Sequence, residues 1–312
     1  SVWRELCGGQ APEHVVDILL DHQLARRHRQ GENWSFAHPM VRAAAERTAR
    51  ANGRWKALHR RCADVLQARH MHEDVVGFHL YEAGDYERAL GPMLAGAKWA
   101  YDRGENPRAL GMMTFHDQAV SALDLPDDDP RRVAGSLRVA TILNAMGQTE
   151  RATARLAQLP MDRIGVAALS EVRFHQGLAC QTHGDLDGAE NAYRAGLAAG
   201  ELSSALTHVL AQALGTVHFM RGQLDEARQQ FQTIIGDPGA PQWLIAACHL
   251  HLGQIEARAG LHGAALEHYD IAEPMFAGTG VTMGGARVQG ARAELARHRG
   301  DIAEARQRYL SS

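Results

Sequence analysis

Gly177-Leu178-Ala179-Cys180-Gln181-Thr182-His183-Gly184-Asp185-Leu186-Asp187-Gly188-Ala189-Glu190-Asn191-Ala192-Tyr193 carries four marks that return twice more down the chain: a glycine, a second glycine, an alanine and an aromatic. Gly177, Gly184, Ala189 and Tyr193 are followed 38 residues later by Gly215, Gly222, Ala227 and Phe231, and 38 later again by Gly253, Gly260, Ala265 and Tyr269. The second glycine separates two helical stretches, and glycine is the residue that ends a helix in the left-handed conformation at little cost. The alanine lets two helices approach, and the aromatic is expected to fill the gap to the next unit. A helical period of this length marks a helix-pair solenoid, in which no unit buries its apolar face alone. The predicted fold class is therefore all-α, and a binding surface is expected ahead of a catalytic pocket.

The same turn recurs at Gly84 with Ala89, Gly104 with Ala109, Gly147 with Ala152 and Gly300 with Ala305, making seven turns of one kind. Leu125-Pro126-Asp127-Asp128-Asp129-Pro130 breaks the pattern with an acidic, helix-breaking loop. Gly236 to Pro241 and Gly278-Thr279-Gly280 read as links between repeats. The boundaries that follow are first helical repeats over 71–125 and a repeat superhelix over 131–312. The glycine, alanine and aromatic positions resemble those of the tetratricopeptide repeat from about Met71 onward. Two departures stand beside the resemblance: a period of 38 rather than the usual ~34, and the lack of a proline closing most copies. Longer helices or longer links are implied.

The chain has 312 residues, 45% of them hydrophobic, and a formal net charge of -3, which gives no global attraction to nucleic acid or acidic membranes. Its four cysteines lie far apart and form no Cys-x-x-Cys pair, so neither a disulfide framework nor a zinc site is suggested and a reducing cytoplasm is the expected setting. No run of about 18 apolar residues and no signal-peptide pattern appears, so no membrane partner is expected. An initiator methionine is missing, and the chain is read as a piece of a longer protein.

Residues 1–70 do not repeat. Pro12 to Asp21 predicts an amphipathic helix, Leu24 to His28 and Trp34 to His38 two short strands, and Pro39 to Ala51 and Arg54 to Arg69 two helices. Helix, hairpin and helix together suggest a winged-helix-like domain. Phe36-Ala37-His38-Pro39-Met40-Val41-Arg42, followed by Arg54 and by Leu58-His59-Arg60-Arg61, resembles the junction after the nucleotide-binding core of STAND-class signalling ATPases. Within that class it is most similar to large ATP-binding LuxR-type and MalT-like transcriptional regulators, in which such helices precede tetratricopeptide-like repeats. The resemblance implies an ATPase core upstream holding ATP or ADP, a DNA-binding domain downstream, and a nucleotide contact for His38. The chain itself has no Gly-x-x-x-x-Gly-Lys-Ser/Thr loop, so no cofactor is expected within it. Arg26, Arg27, Arg29, Arg42, Arg60 and Arg61 belong to a basic cluster with three readings: packing on the ATPase core, contact with a DNA backbone, or a solvated face.

No nucleophile elbow or His-Glu-x-x-His helix is present, and His249 and His251 do not share a helix face, so neither catalysis nor metal binding is expected. Counting back from the turn glycines puts Glu171, Leu178, Gln181, Gln212, Thr216, Phe219, Leu250, Gln254, Arg258, Glu294 and Arg297 on the inner, concave face of the solenoid. Such a groove suits a protein or peptide partner or a polar small-molecule inducer. The chain reads as the non-catalytic sensor arm of a STAND-type regulator. The alternative is a freestanding repeat scaffold, or the regulatory arm of a kinase, nucleotide cyclase or defence ATPase; oligomerisation is left open.

Overall fold

A computed structural model describes residue 5 and residues 13–28, 34–279 and 282–311. Sixteen helices and one two-stranded hairpin account for its secondary structure among the described residues. The chain divides into two compact units, one of residues 1–97 with 111–124 and one of residues 98–110 with 125–312. One division, between Asp124 and Leu125, falls at the acidic interruption near 125 that the repeat pattern marked, and the other two cut through α5 and α6.

The first unit begins with α1 (Glu13–Asp21), none of whose residues is buried. The strands β1 (Ala25–Arg27) and β2 (Trp34–Phe36) pair antiparallel, with Ala25 opposite Phe36 and Arg27 opposite Trp34. Then follow α2 (Pro39–Ala51), α3 (Trp55–Ala68) and α4 (Glu73–Glu82). The helix α5 (Tyr86–Asp102) contributes its residues through Ala97, and α6 (Asn106–Ala122) contributes those from Gly111. The core of this unit gathers Ala63, Val76, Leu80, Ala89 and Met93, with Phe115 and Tyr81 packed against it. Glu82 ties α2 and α3 to α4, accepting from Trp55 Nε1 at 2.7 Å and from Arg50 at 3.3 Å, while the Arg50 guanidinium lies 3.8 Å over the Trp55 ring.

The second unit holds the solenoid: α7 (Pro130–Ala145), α8 (Thr149–Leu156), α9 (Val166–Thr182), α10 (Leu186–Leu197), α11 (Ser204–Met220), α12 (Leu224–Ile235), α13 (Gln242–Arg258), α14 (His262–Thr279), α15 (Thr282–His298) and α16 (Ile302–Ser311). The acidic interruption turns out to be a helix start: Asp129 caps α7, accepting from the Arg131 backbone N–H at 2.9 Å. Hydrogen bonds from the Arg131 side chain and backbone hold the Asp129 carboxyl down at about 2. Of the expected link Gly278-Thr279-Gly280, the first two residues belong to α14 and Gly280 lies outside the described residues.

All seven turn glycines adopt the left-handed region, with φ between 71° and 84°. Two backbone bonds close each of the three perfect copies, as at Gly184, where the Asp185 N–H donates to Cys180 O at 2.9 Å and the Gly184 N–H to Gln181 O at 3.1 Å. The earlier glycine of each copy has a different task. A Cβ on Gly177 would stand 2.4 Å from the Tyr193 ring, one on Gly215 2.8 Å from Phe231, and one on Gly253 2.4 Å from Tyr269. The aromatic therefore covers the glycine of its own pair, which corrects the expectation that it only fills the gap between units. It also reaches the next unit, since Tyr193 clusters with Leu210, Ala213 and Val217. The long period arises from long first helices: α9, α11, α13 and α15 each have 17 residues, whereas α10 and α12 have 12.

First helices of successive pairs touch one another along α7, α9, α11, α13 and α15, while second helices pack mainly against the first helices flanking them. That layering makes the first helices the inner wall of the solenoid, on which any groove must lie.

Candidate functional site

A cavity of about 770 Å³ lies on that inner wall between α11, α13 and α15. Phe219, Tyr269, Ala291 and Leu295 supply apolar surface, and Gln254, Arg258, His262, Arg287, Glu294 and His298 supply polar groups. Of the residues predicted for the concave face, the cavity unites Phe219, Gln254, Arg258 and Glu294.

Each polar group in the cavity is differently committed. Arg258 lies flat on Phe219, its guanidinium carbon 3.9 Å from the ring centroid, and donates to the Phe219 carbonyl at 3.2 Å. Glu294 accepts from Arg297 at 2.8 Å and from the Tyr309 hydroxyl, and these bonds hold its carboxyl below the usual range. Gln254 Oε1 accepts from His251 Nδ1 at 3.1 Å, which leaves the Gln254 amide N–H groups without a partner among the described residues. Arg287 makes no hydrogen bond or ion pair with any described residue. Its side chain remains solvent-accessible, yet the surrounding wall strips enough water from the guanidinium to lower its pKa. Behind it, burial and the positive charge of Arg287 together bring His251 down to about 4, so that ring is neutral.

The remaining predicted groove residues lie outside this cavity. Gln181 accepts from the Tyr193 hydroxyl at 2.8 Å, which makes it a brace for the packing aromatic. Gln212 and Thr216 bond each other at 3.1 Å on α11. Arg297 is an exposed partner of Glu294 three residues before it. Glu171 is exposed on α9, and loss of hydration raises its pKa against the opposing pull of Arg138. Leu178 is half-buried, and Leu250 is fully buried against Tyr269 and Phe276, so Leu250 belongs to the core and not to the groove. Arg287 escaped the sequence reading although a signal existed: it stands thirteen residues before Gly300, the same offset that places Glu171 before Gly184.

In the first unit His38 caps α2, its Nδ1 accepting from the Met40 N–H at 3.2 Å with Pro39 in the first helical position. That bond fixes the Nε2–H tautomer and points a donor outward. The basic cluster is more neutralised than its sequence suggested. Arg27 pairs with Asp17 at 3.1 Å and Arg42 with Glu46 at 2.7 Å, and Arg61 donates to the Glu5 carbonyl at 2.7 Å. Arg26 and Arg60 are exposed and make no ion pair among the described residues. Arg29 lies outside the described residues.

His249 meets His268 across two helices, with 3.0 Å between their Nδ1 atoms, and no group of three metal-ligating side chains occurs among the described residues. No described helix is long and apolar enough to cross a membrane.

The fold defines an all-α helix-pair solenoid of the tetratricopeptide type. Among solved structures, the chain is similar to a Signal Transduction ATPase with Numerous Domains from Pyrococcus horikoshii that has a tetratricopeptide repeat sensor, with a TM-score of 0.61 and 14% identity over 98% of this chain and 46% of that one. It is also similar to a chain of the Cut9-Hcn1 hetero-tetramer of the APC/C, with a TM-score of 0.51 and 14% identity over 81% of this chain and 48% of that one. The chain thus matches about half the length of each. No family model and no curated protein matches the sequence.

Proposed function

We propose that this chain is the non-catalytic sensor arm of a STAND-type signalling ATPase, with a ligand or protein partner received on the inner face of the solenoid. The observation that carries the reading is the fold likeness over 98% of the chain to a protein whose repeats are named a sensor, the non-repeating front included. The Phe36-to-Arg61 segment supports it from the sequence side. Here α1, the hairpin, α2 and α3 play the part of a winged helix beside an ATPase core that holds ATP or ADP. His38 Nε2–H faces the nucleotide phosphates, and Arg26 and Arg60 contact the core. The effector is transcriptional, of the LuxR type, acting on DNA through a further domain.

Regulation is a population shift between closed and open arrangements of the arm on the core. A ligand drives it only by the difference between its affinities for the two states, about 1.4 kcal/mol for each tenfold change. The coding sequence on either side of this chain tests the proposal. A phosphate-binding loop upstream and a helix-turn-helix downstream are expected; a kinase or cyclase domain, or a repeat array alone, would overturn it. The likeness to the Cut9-Hcn1 chain favours the second reading, a freestanding scaffold, only in that last case.

A further inference from the structure

We propose that the cavity between α11, α13 and α15 binds a small organic anion, a carboxylate or phosphate monoester on an apolar body, with Arg287 and the Gln254 amide as its donors. The inference deepens the reading of the inner face as the ligand-binding face and rests on it.

Two guanidinium groups, Arg258 and Arg287, and the Gln254 amide line the cavity, and Glu294 is its only carboxylate. Glu294 is already engaged by Arg297 and Tyr309, so its charge is balanced by a cation next to it on α15. Arg258 is spent on Phe219. What remains is a guanidinium with no partner among the described residues and an amide whose oxygen is occupied by His251 and whose N–H groups meet none of them. His251 supplies no negative charge, because an imidazole ring is neutral or cationic. His262 and His298 can each offer a donor or an acceptor, so the uncommitted guanidinium and amide N–H groups leave the site with donors and a positive charge in excess, which is the complement of an anion. A guanidinium fork fits the two oxygens of a carboxylate or phosphate side-on.

The rest of the cavity sets the class further. Tyr269, Ala291, Leu295 and the Phe219 ring give the anion's body an apolar seat. A volume of about 770 Å³ lies within the range of roughly 300–1,000 Å³ typical of small-molecule sites. A neutral or cationic ligand would leave Arg287 desolvated further and still unpaired, at a cost its own contacts would have to offset.

Benzoate, phenyl phosphate and the neutral isostere benzamide, added at millimolar concentration to the 312-residue chain, test the assignment. Thermal unfolding and the 15N-resolved Nε–H resonance of Arg287 are the readouts. Benzoate or phenyl phosphate raises the melting temperature and moves the Arg287 resonance, in a salt-sensitive manner; benzamide does neither. Arg287→Gln weakens anion binding on the order of ten- to hundredfold, the loss of one charge-assisted bond, while Arg42→Gln, an exposed arginine of the first unit, leaves it within about twofold. Should Arg287→Gln prove poorly folded, the wild-type resonance alone decides. Equal responses to benzamide and benzoate, an unmoved Arg287 resonance with both anions, or undiminished binding by Arg287→Gln would each overturn the proposal. A response to a glutamate-rich peptide alone would overturn the small-ligand assignment while preserving the partner-binding face. Failure of the sensor-arm reading would show instead in the flanking coding sequence.

Discussion

Replacing Gly177 by alanine adds one methyl group at the most crowded point of the repeat. The new Cβ would lie 2.4, 2.7 and 2.8 Å from Cε1, Cδ1 and Cζ of Tyr193, where carbon atoms at rest keep about 3.5–4.0 Å. The ring must retreat by about 1 Å. It has no room to do so, since Tyr193 is fully buried among Leu210, Ala213 and Val217. Its hydroxyl is also held by the 2.8 Å bond to Gln181. Overpacking of this kind costs about 1–3 kcal/mol, and disturbing the hydroxyl bond about 1 more. Against this, alanine in place of glycine in a helix interior stabilises by about 1 kcal/mol. The net expectation is a destabilisation of about 1–3 kcal/mol, read from the midpoint of urea unfolding followed by circular dichroism. Gly253→Ala, with the same 2.4 Å approach, should match it, and Gly215→Ala, at 2.8 Å, should cost less. A Gly177→Ala, Tyr193→Leu double variant should lose less than the two single losses combined, because the ring is what the methyl strikes. If Gly177→Ala were as stable as the wild type, the ring-on-glycine account of the repeat would be refuted.

Gly184→Ala tests the other glycine of the ladder: nothing lies within 4 Å of its would-be Cβ, but φ is 79°, so a loss of about 1–2 kcal/mol from backbone strain alone is expected, with Asn a milder replacement. Acid should weaken the solenoid before the ordinary carboxylates titrate. His175 and His251 take up protons near 6.5 when unfolded but only at about 4 when folded, because burial opposes their charged forms. Between those values the unfolded chain binds more protons, so stability falls as pH drops through that window and is flat above it, with a slope approaching about 2.7 kcal/mol per pH unit for two such groups. Unfolding midpoints at pH 7.5 and 5 check this, and His251→Gln should flatten the slope. Burial pushes the Cys248 thiol up to about 12, so iodoacetamide should leave it unmodified in native protein and modify it once urea unfolds α13; prompt native labelling would contradict its burial. The 312-residue chain should show no salt-dependent DNA binding in an anisotropy titration, and Arg26→Glu with Arg60→Glu should change nothing there; salt-dependent binding lost in that variant would make the patch a DNA contact.

The periodic part of this molecule was legible because its constraints are local. A left-handed turn needs glycine, a close crossing needs alanine, and a ring needs a glycine to lie on, so the ladder from Gly177 to Tyr269 spells its own fold. Asp129 and His38 were harder: each sits in a stretch whose composition reads as loop or motif, and only the backbone reveals them as helix caps. The groove was legible in outline through the offsets from the turn glycines, which put Phe219, Gln254, Arg258 and Glu294 on one wall. Offsets failed at Leu250, which shares α13 with Gln254 but rotates into the core beneath Tyr269. They also could not single out Arg287, because what distinguishes that side chain is the absence of a partner among the described residues. That absence follows from three-dimensional choices made elsewhere, with Glu294 taken by Arg297 and Tyr309, and Glu273 by Gln289 and Arg292.

On the function proposed above, the chain is an arm that holds a neighbouring ATPase core in its nucleotide-bound form. Release of a fluorescent ADP analogue from the full-length protein, followed by stopped flow, addresses that claim most directly. His38→Ala, or Arg26→Glu with Arg60→Glu, should speed release on the order of tenfold or more, the loss of one or two charge-assisted contacts. A full-length protein that binds no nucleotide, or one whose release rate is the same in all three forms, would contradict it.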